Sequence, residues 1–143
     1  MNFSKIYKKV GQSVYSCQYI VAFCTKYKRN IFSIDDIETL EDSFTKTAKK
    51  HNFIIHKMDI SKNGAILTIE IADPDFSPSN AVTKLKKESK DALIAKDASF
   101  KSRIPCIWTK EEFITTIGTY SEREVNKFID LQDNYLESIN KNK

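Results

Sequence analysis

The 143-residue sequence has few of the residues that interrupt or cross-link a chain. It contains only three glycines, three prolines and three cysteines. Most of the chain is therefore expected to form regular helices and strands, because glycine and proline are the usual breakers. The cysteines, Cys17, Cys24 and Cys106, are odd in number and have no CxxC spacing. They are expected to be reduced thiols rather than disulfide partners or metal ligands.

Long apolar runs and strong charge are missing as well. No stretch of about eighteen apolar residues occurs, so no membrane-spanning helix and no membrane partner are expected. The opening MNFSKIYKKVGQ has no apolar signal core, which favours a cytoplasmic location. The formal net charge of +4 permits an acidic partner without requiring one. The length suits a single domain over residues 1–143, with its core at about 13–136 and a short polar tail.

Hydrophobic periodicity predicts elements in the order β-α-β-β-α-β-α. The strands are expected over residues 13–25, 53–60, 65–71 and 112–118, and the helices over residues 34–51, 78–95 and from 121 onward. Two split β-α-β units with right-handed crossovers give an α+β fold with a ferredoxin-like antiparallel sheet. The last helix is an addition to that core, and the first strand should lie inside the sheet.

Two positions do not fit their surroundings. Gly64 opens the strand in ISKNGAILTIEI, although glycine weakens a strand by roughly 0.5–1 kcal/mol. Gln132 lies four residues after Phe128, on the same side of the last helix among apolar neighbours. It is either a partly exposed glutamine at the helix edge or a polar group with an inward task.

Four blocks of the sequence resemble one known family. VYSCQYIVAFCTKYKRNIF, IHKMDISKNGAILTIEI, IPCIWTKEEFITTIG and SEREVNKFIDLQ are similar, in this order, to the single-tyrosine HUH transposases of the insertion-sequence 200/605 group. The most specific matches are Tyr19, Lys26, Tyr27 and Arg29 in the first block, and Trp108, Thr109, Thr116 and Gly118 in the third.

This resemblance implies a ferredoxin-like domain that dimerises, binds a DNA hairpin, and cuts and rejoins single-stranded DNA. In that family two histidines on one face of the third strand of the sheet hold Mg²⁺ or Mn²⁺ against the scissile phosphate. A tyrosine on the late helix attacks the phosphate, and a glutamine four residues further on completes the metal site. Alternate strand residues share a face, and so do helix residues four apart, which is what this chemistry needs.

The matching positions of this sequence lack those groups. The two histidines fall on Gly64 and Ile66, and the tyrosine falls on Phe128, while only Gln132 agrees. Glycine and isoleucine have no side-chain lone pair for a metal, and phenylalanine has no nucleophilic oxygen. The resemblance therefore implies a catalytically inactive member with no catalytic residues and no bound metal.

Other residues could in principle replace the lost groups. Tyr135 lies about two turns after Phe128, which displaces it by about 10 Å along the helix. Tyr120 precedes the helix, His56 lies on the strand paired with the third, and His51 ends the first helix. Surface or core packing is the alternative role for each of them.

Basic residues cluster in two places. Lys26, Lys28 and Arg29 flank Tyr27 in the first loop, and the second helix has Lys84, Lys86, Lys87 and Lys90. The family's Gly-Arg-Ser run falls here on Lys87, Glu88 and Ser89. The lysines form either a solvated face or a surface for nucleic-acid phosphates, and the resemblance favours the second.

The leading hypothesis is an inactive, domesticated transposase-like protein that binds a DNA or RNA hairpin or a single strand as a homodimer, as a regulator or accessory factor. One alternative is an active transposase or single-strand nuclease with a rebuilt site. Another is a protein-interaction module in which the former DNA face binds a protein.

The resemblance predicts a homodimer in solution. Sedimentation at micromolar concentration should give twice the chain mass of 16.5 kDa, because the family domain pairs with a second copy. A clean monomer would contradict this expectation.

Overall fold

The computed structural model describes residues 8–10, 13–15, 17–100 and 107–117, together with Arg123, Val125, Asn126 and Ile129. The larger compact unit is Cys17–Ile117. In a second unit, the described residues form a short β-hairpin, and Arg123, Val125, Asn126 and Ile129 are helical. The expectation of a single domain stays a prediction.

The described elements follow the predicted alternation of strands and helices. In chain order they are β1 (Lys8–Val10), β2 (Ser13–Tyr15), β3 (Gln18–Cys24), a 3-10 turn (Lys26–Lys28), α1 (Ile34–Lys50), β4 (Phe53–Ser61), β5 (Gly64–Ile71), α2 (Pro78–Lys96) and β6 (Phe113–Thr116). Strand β1 pairs with β2, and the other four strands form one sheet in the order β4-β5-β3-β6. Every neighbouring pair is antiparallel. This is the predicted ferredoxin-like arrangement, which confirms the α+β class.

The prediction of one strand over residues 13–25 is wrong in extent. Residues 13–15 pair with β1, whereas Gln18–Cys24 lies between β5 and β6 in the larger sheet. The register of β3 with β5 begins at Gln18 opposite Glu70, and Cys17 accepts one more hydrogen bond from the Ile71 amide at 2.9 Å. Beyond Ile71 the partner strand gives way to the Asp73–Pro74 turn region, so no neighbour remains to extend the ladder.

Helices α1 and α2 cover one face of the sheet. On β5 the side chains of Ala65, Leu67, Ile69 and Ile71 are all buried. They form a single core cluster with Leu40 and Phe44 of α1 and with Leu85 and Leu93 of α2. Ile66 points to the opposite face and is 51% exposed. This opposite face, on which neither α1 nor α2 packs, is called here the open face, and Glu70 is a buried residue on the same side of β5.

Both helices begin at serine caps. Ser33 accepts a hydrogen bond from the Asp36 amide at 3.2 Å, and the Asp36 carboxylate accepts one from the Ser33 amide at 2.9 Å. Ser77 accepts from the Asn80 amide at 3.0 Å, with Pro78 at the first helical position. These contacts satisfy amides that the first helical turn leaves without partners.

An ion pair joins the end of α1 to the middle of α2. His51 Nε2 lies 2.8 Å from Glu88 Oε2, and Lys50 Nζ lies 3.8 Å from Glu88 Oε1. Burial alone would raise the pKa of Glu88, but the hydrogen bond from His51 and the charge of Lys50 outweigh burial and lower this pKa. Glu88 therefore connects α1 and α2.

The variant Glu88→Gln should unfold more easily than the wild type at pH 6, by about 1 kcal/mol, since a charge-assisted contact between the helices is lost. A lowered folded-state pKa stabilises the fold above the ordinary carboxyl value of about 4.3, and this stability is lost as pH falls through the folded value. Urea unfolding at pH 6 and pH 3 should therefore give a smaller difference between the two proteins at pH 3 than at pH 6. The matched control is Glu38→Gln at an exposed position of α1, and an effect of equal size there would contradict the assignment.

Candidate nucleic-acid interface

Gly64 lies where three strands come together. It pairs with Cys24 of β3 on one side and with Ser61 of β4 on the other. A Cβ atom built on Gly64 would be 3.0 Å from the Phe23 carbonyl oxygen and 3.4 Å from the Cys24 Cβ. The backbone oxygen belongs to the sheet and cannot move aside like a flexible side chain. Glycine is therefore accounted for here by close packing of the backbone.

Ile66 forms part of a shallow apolar depression on the open face. Its neighbours across the sheet are Ala22 on β3 and Asp59 on β4, and Ala22 is in turn paired with Phe113 of β6. The depression has a volume of about 590 Å³ and extends from Gly64 to Phe113, which is 64% exposed. Asp59 and Glu111 are also part of its lining. The chemical character of this surface is apolar with carboxylates beside it.

The residues at the family's metal position do not fit a metal ion. Gly64 has no side chain and a side chain there would crowd the Phe23 carbonyl, while Ile66 presents only carbon. Hard cations such as Mg²⁺ need oxygen or nitrogen ligands. Within residues 17–100, 107–117 and the other described positions, no three His, Cys, Asp or Glu side chains lie close enough together to hold a metal.

The two histidines have carboxylate partners. His56, at an irregularity of the β4–β5 register, lies with its Nε2 2.9 Å from Glu70 Oε1, and His51 contacts Glu88 as described above. Cys17 and Cys24 are free thiols, as predicted. The other candidates from the sequence, Cys106, Tyr120, Phe128, Gln132 and Tyr135, lie outside the described residues.

The first basic cluster is a loop of fixed shape, called here the basic loop (Lys26, Tyr27, Lys28 and Arg29). Tyr27 and Lys28 have φ values of 63° and 54°, a left-handed conformation that is unusual for residues with large side chains. The buried Thr25 holds it, because its hydroxyl donates to the Arg29 carbonyl at 2.8 Å and its carbonyl accepts from the Lys28 amide at 3.0 Å. Backbone strain of this kind is often stored at functional sites.

The conformation of the basic loop presents an aromatic ring to solvent. Tyr27 is 75% exposed, and Lys26 Nζ and Arg29 Cζ each lie 5.5 Å from its ring centroid. Both distances are within the range of cation–π attraction. An exposed aromatic ring surrounded by cations is a suitable surface for a stacked base with its phosphates nearby.

The second basic cluster lines a groove between α2 and the chain segment that precedes β6. This groove, called here the lysine cleft, has a volume of about 400 Å³ and is lined by Thr83, Lys86, Lys87, Lys90, Ile107, Trp108, Thr109, Lys110 and Glu112. The predicted residues Lys87 and Lys90 are both exposed there. Lys84 is not among the lining residues, because it faces another side of the helix.

Lys86 has a different environment from the other lysines predicted to bind nucleic acid. Its ammonium group lies 2.9 Å from Glu112 Oε2 and donates to the Thr109 carbonyl at 2.9 Å, with the Lys110 and Glu111 carbonyls at 3.4 and 3.3 Å. The side chain is only 15% exposed. Lys86 thus has an internal structural role, which sequence patterning could not distinguish from that of the neighbouring lysines.

The segment from Ile107 to Thr109 connects the two basic clusters. The Lys26 amide donates to the Ile107 carbonyl at 3.0 Å, and the Thr109 amide donates to the Cys24 carbonyl at 2.9 Å. Trp108 donates its indole N–H to the hydroxyl of the fully buried Ser89 at 3.0 Å. The basic loop and the lysine cleft are therefore attached to the same rigid segment, which the sequence could not reveal.

The fold is that of an α+β domain. The basic loop and the lysine cleft together are called here the basic edge. The transposase IS200-like family model matches residues 13–132, so this chain belongs to that family. No curated protein matches the chain. None of the helices in the described part of the chain is both long and apolar enough to cross a bilayer.

Solved structures agree with this family. One is the crystal structure of a candidate transposase from Deinococcus radiodurans R1, at 18% identity and a TM-score of 0.71, with 87% of this chain and 97% of that chain covered. Another is a REP-associated tyrosine transposase bound to a REP hairpin, at 12% identity and a TM-score of 0.58, with 91% of this chain and 68% of that chain covered. At these identities the similarity establishes the fold.

Two substitutions on β5 should have very different costs. Gly64→Ala should destabilise the protein by about 1–3 kcal/mol, because the added methyl group meets a backbone oxygen that can move only with the sheet. Ile66→His, two residues away on the same face, should change stability by about 0.5 kcal/mol or less, because this side chain is half exposed. Urea unfolding of both variants checks this, and equal costs would contradict the close-packing role of Gly64.

Proposed function

We propose that this protein binds a DNA or RNA hairpin, or a single strand, without cutting it. The observation that supports this most directly is the surface around Gly64 and Ile66. A side chain at position 64 would crowd the Phe23 carbonyl, and position 66 offers only carbon atoms. The metal-assisted chemistry of the family needs a polarised phosphate, and neither Gly64 nor Ile66 offers a side-chain ligand for the cation that would polarise it.

The electrostatics of the depression oppose a phosphate in the same place. Asp59 and Glu111 lie beside Ala22, Ile66 and Phe113. Without a cation between them, carboxylates and a phosphodiester repel each other. A scissile phosphate is therefore disfavoured at this position, whatever nucleophile is available.

The basic edge supports nucleic-acid binding. The basic loop exposes Tyr27 among three cations, and Lys87 and Lys90 lie exposed on α2. Salt-dependent phosphate contacts supply most of the affinity of such surfaces, and stacking adds roughly 1–3 kcal/mol per base. The hairpin bound to the REP-associated transposase makes a hairpin the first ligand to test.

The proposed biological state is a cytoplasmic homodimer with a regulatory or accessory role. A family domain that binds without cutting keeps the nucleic-acid recognition of a transposase but not its cleavage reaction. The helical residues Val125 and Ile129 are exposed and four positions apart, on one side of their helix. An exposed apolar stripe of this kind is suited to burial against a second copy.

The open face favours a second candidate function, protein interaction. Ile66 and Phe113 are large apolar residues that remain 51% and 64% exposed in a continuous depression. Such surfaces often mark docking sites. In this case the depression would bind a protein, and the basic edge would be a solvated surface.

The proposed function predicts that the protein binds a hairpin and leaves it uncut. In an electrophoretic shift assay the protein should bind a hairpin with single-stranded flanks, and denaturing gels should show neither cleavage nor a covalent adduct. If about four cations contact phosphates, affinity should fall about 50–150-fold over a fourfold increase in salt. Reversing the charge of Lys28 and Arg29 should weaken binding and flatten this dependence, whereas Lys46→Glu, on an exposed face of α1, should not.

The same assay separates the alternatives. Phe128→Tyr alone should remain inactive with Mg²⁺ or Mn²⁺, because positions 64 and 66 still supply no metal ligand. Cleavage or a covalent DNA adduct with the wild type would favour a rebuilt nuclease site. Absence of binding to all structured DNA and RNA would favour the protein-interaction module.

A further inference from the structure

We propose that Lys110 is a phosphate-binding residue, which forms with Lys87 and Lys90 a two-sided cleft for a nucleic-acid strand, and that Lys86 is the positioning residue that holds this cleft together. The inference rests on the proposed nucleic-acid binding and extends it by a residue and a mechanism. Lys110 lies outside the two basic clusters seen in the sequence. Its neighbours Glu111 and Glu112 make the local sequence acidic rather than basic.

The lysine cleft has cations on both walls. Lys87 and Lys90 lie on α2, three residues apart and therefore about 4.5 Å apart along the helix axis. Lys110 lines the cleft from the segment that precedes β6, and the exposed Thr83 adds a hydroxyl group. A phosphodiester chain in this groove can be contacted from both sides, which a flat face of a single helix does not allow.

The contacts of Lys86 hold the wall of the cleft that contains Lys110 close to α2. Its ammonium group reaches from α2 to the Thr109 carbonyl and the Glu112 carboxylate, both at 2.9 Å. These bonds tie the backbone on either side of Lys110 to the helix. They also pair the charge of Glu112, which would otherwise repel a phosphate. The exposed charges left in the cleft are those of Lys87, Lys90 and Lys110, a net positive site.

The position of the cleft favours a polymer over a small anion. Ile107, Trp108 and Thr109 line it, and the Ile107 carbonyl accepts the hydrogen bond from the Lys26 amide at the start of the basic loop. The segment that forms one wall of the cleft is thus joined directly to the loop that exposes Tyr27. A strand in the cleft can continue to Tyr27, where stacking of a base would add to the phosphate contacts.

Charge variants test the role of Lys110 in the full-length protein. Lys110→Glu should weaken hairpin binding about fivefold to tenfold at 0.1 M salt, and Lys110→Ala should reduce the slope of log affinity against log salt by about 0.7–0.9, the amount for one phosphate contact. The matched control Lys46→Glu makes the same charge change on an exposed face of α1 and should alter affinity less than twofold.

The positioning role of Lys86 is tested by a property that loss of a direct phosphate contact would leave unchanged. In Lys86→Met the amides of residues 109–112 should exchange with solvent faster in the absence of nucleic acid, and hairpin affinity should fall about as far as in Lys110→Ala. Lys86→Arg, which can still bond the carbonyls and Glu112, should restore most of both properties. Unchanged amide exchange in Lys86→Met would overturn the positioning role.

The outcomes separate this inference from the proposed function. If the wild type binds no hairpin or single strand, the proposed function fails. If it binds and Lys110→Glu behaves like Lys46→Glu, the function stands and the cleft is not its phosphate site. If polyglutamate of matched charge displaces the hairpin equally well, the cleft is a site for an acidic protein and the inference is overturned.

Discussion

The hydrogen bond from Trp108 to Ser89 is the contact on which the rest of the basic edge depends. Both partners are buried, and the indole ring also packs against Phe23 and Phe32 with centroid distances of 4.8 and 5.3 Å. A buried polar group that loses its partner costs about 1–3 kcal/mol, so the pair favours one arrangement of this segment. Through it the basic loop and the cleft wall are both fixed to the core.

The open face and the basic edge of the larger unit have opposite characters. Gly64, Ile66 and Phe113 give the open face an apolar surface beside carboxylates, and the cations lie on the loop and on α2. Catalysis by the family requires phosphate binding on the sheet, whereas binding alone requires only cations and an aromatic ring. In the proposed function the residues for phosphate binding on the sheet have been replaced, whereas the cations and the aromatic ring needed for binding alone are kept.

Sequence patterning predicted what depends on regular spacing. The α+β class, the helices α1 and α2 and the strands β4 and β5 follow from hydrophobic periodicity and turn residues. The break before Gln18 was missed because both parts of residues 13–25 have strand-forming side chains, and only the pairing partners differ. Lys86 was grouped with its neighbours because one lysine pairs with Glu112 at long range, which no local pattern records. Lys110 was overlooked because the glutamates beside it conceal its charge in the sequence.

Gly64 has one meaning in the sequence and a further one in the structure. From the sequence, Gly64 means only that a histidine is missing from a metal site. In the structure, the Phe23 carbonyl lies 3.0 Å from where a Cβ would be, so a side chain at this position requires the neighbouring strand to shift by a few tenths of an ångström. A histidine placed at position 64 would therefore need a small shift of β3 in addition to a ligand at position 66. Under the proposed function, restoring the family's site requires changes at positions 64, 66 and 128 together with this shift of the backbone.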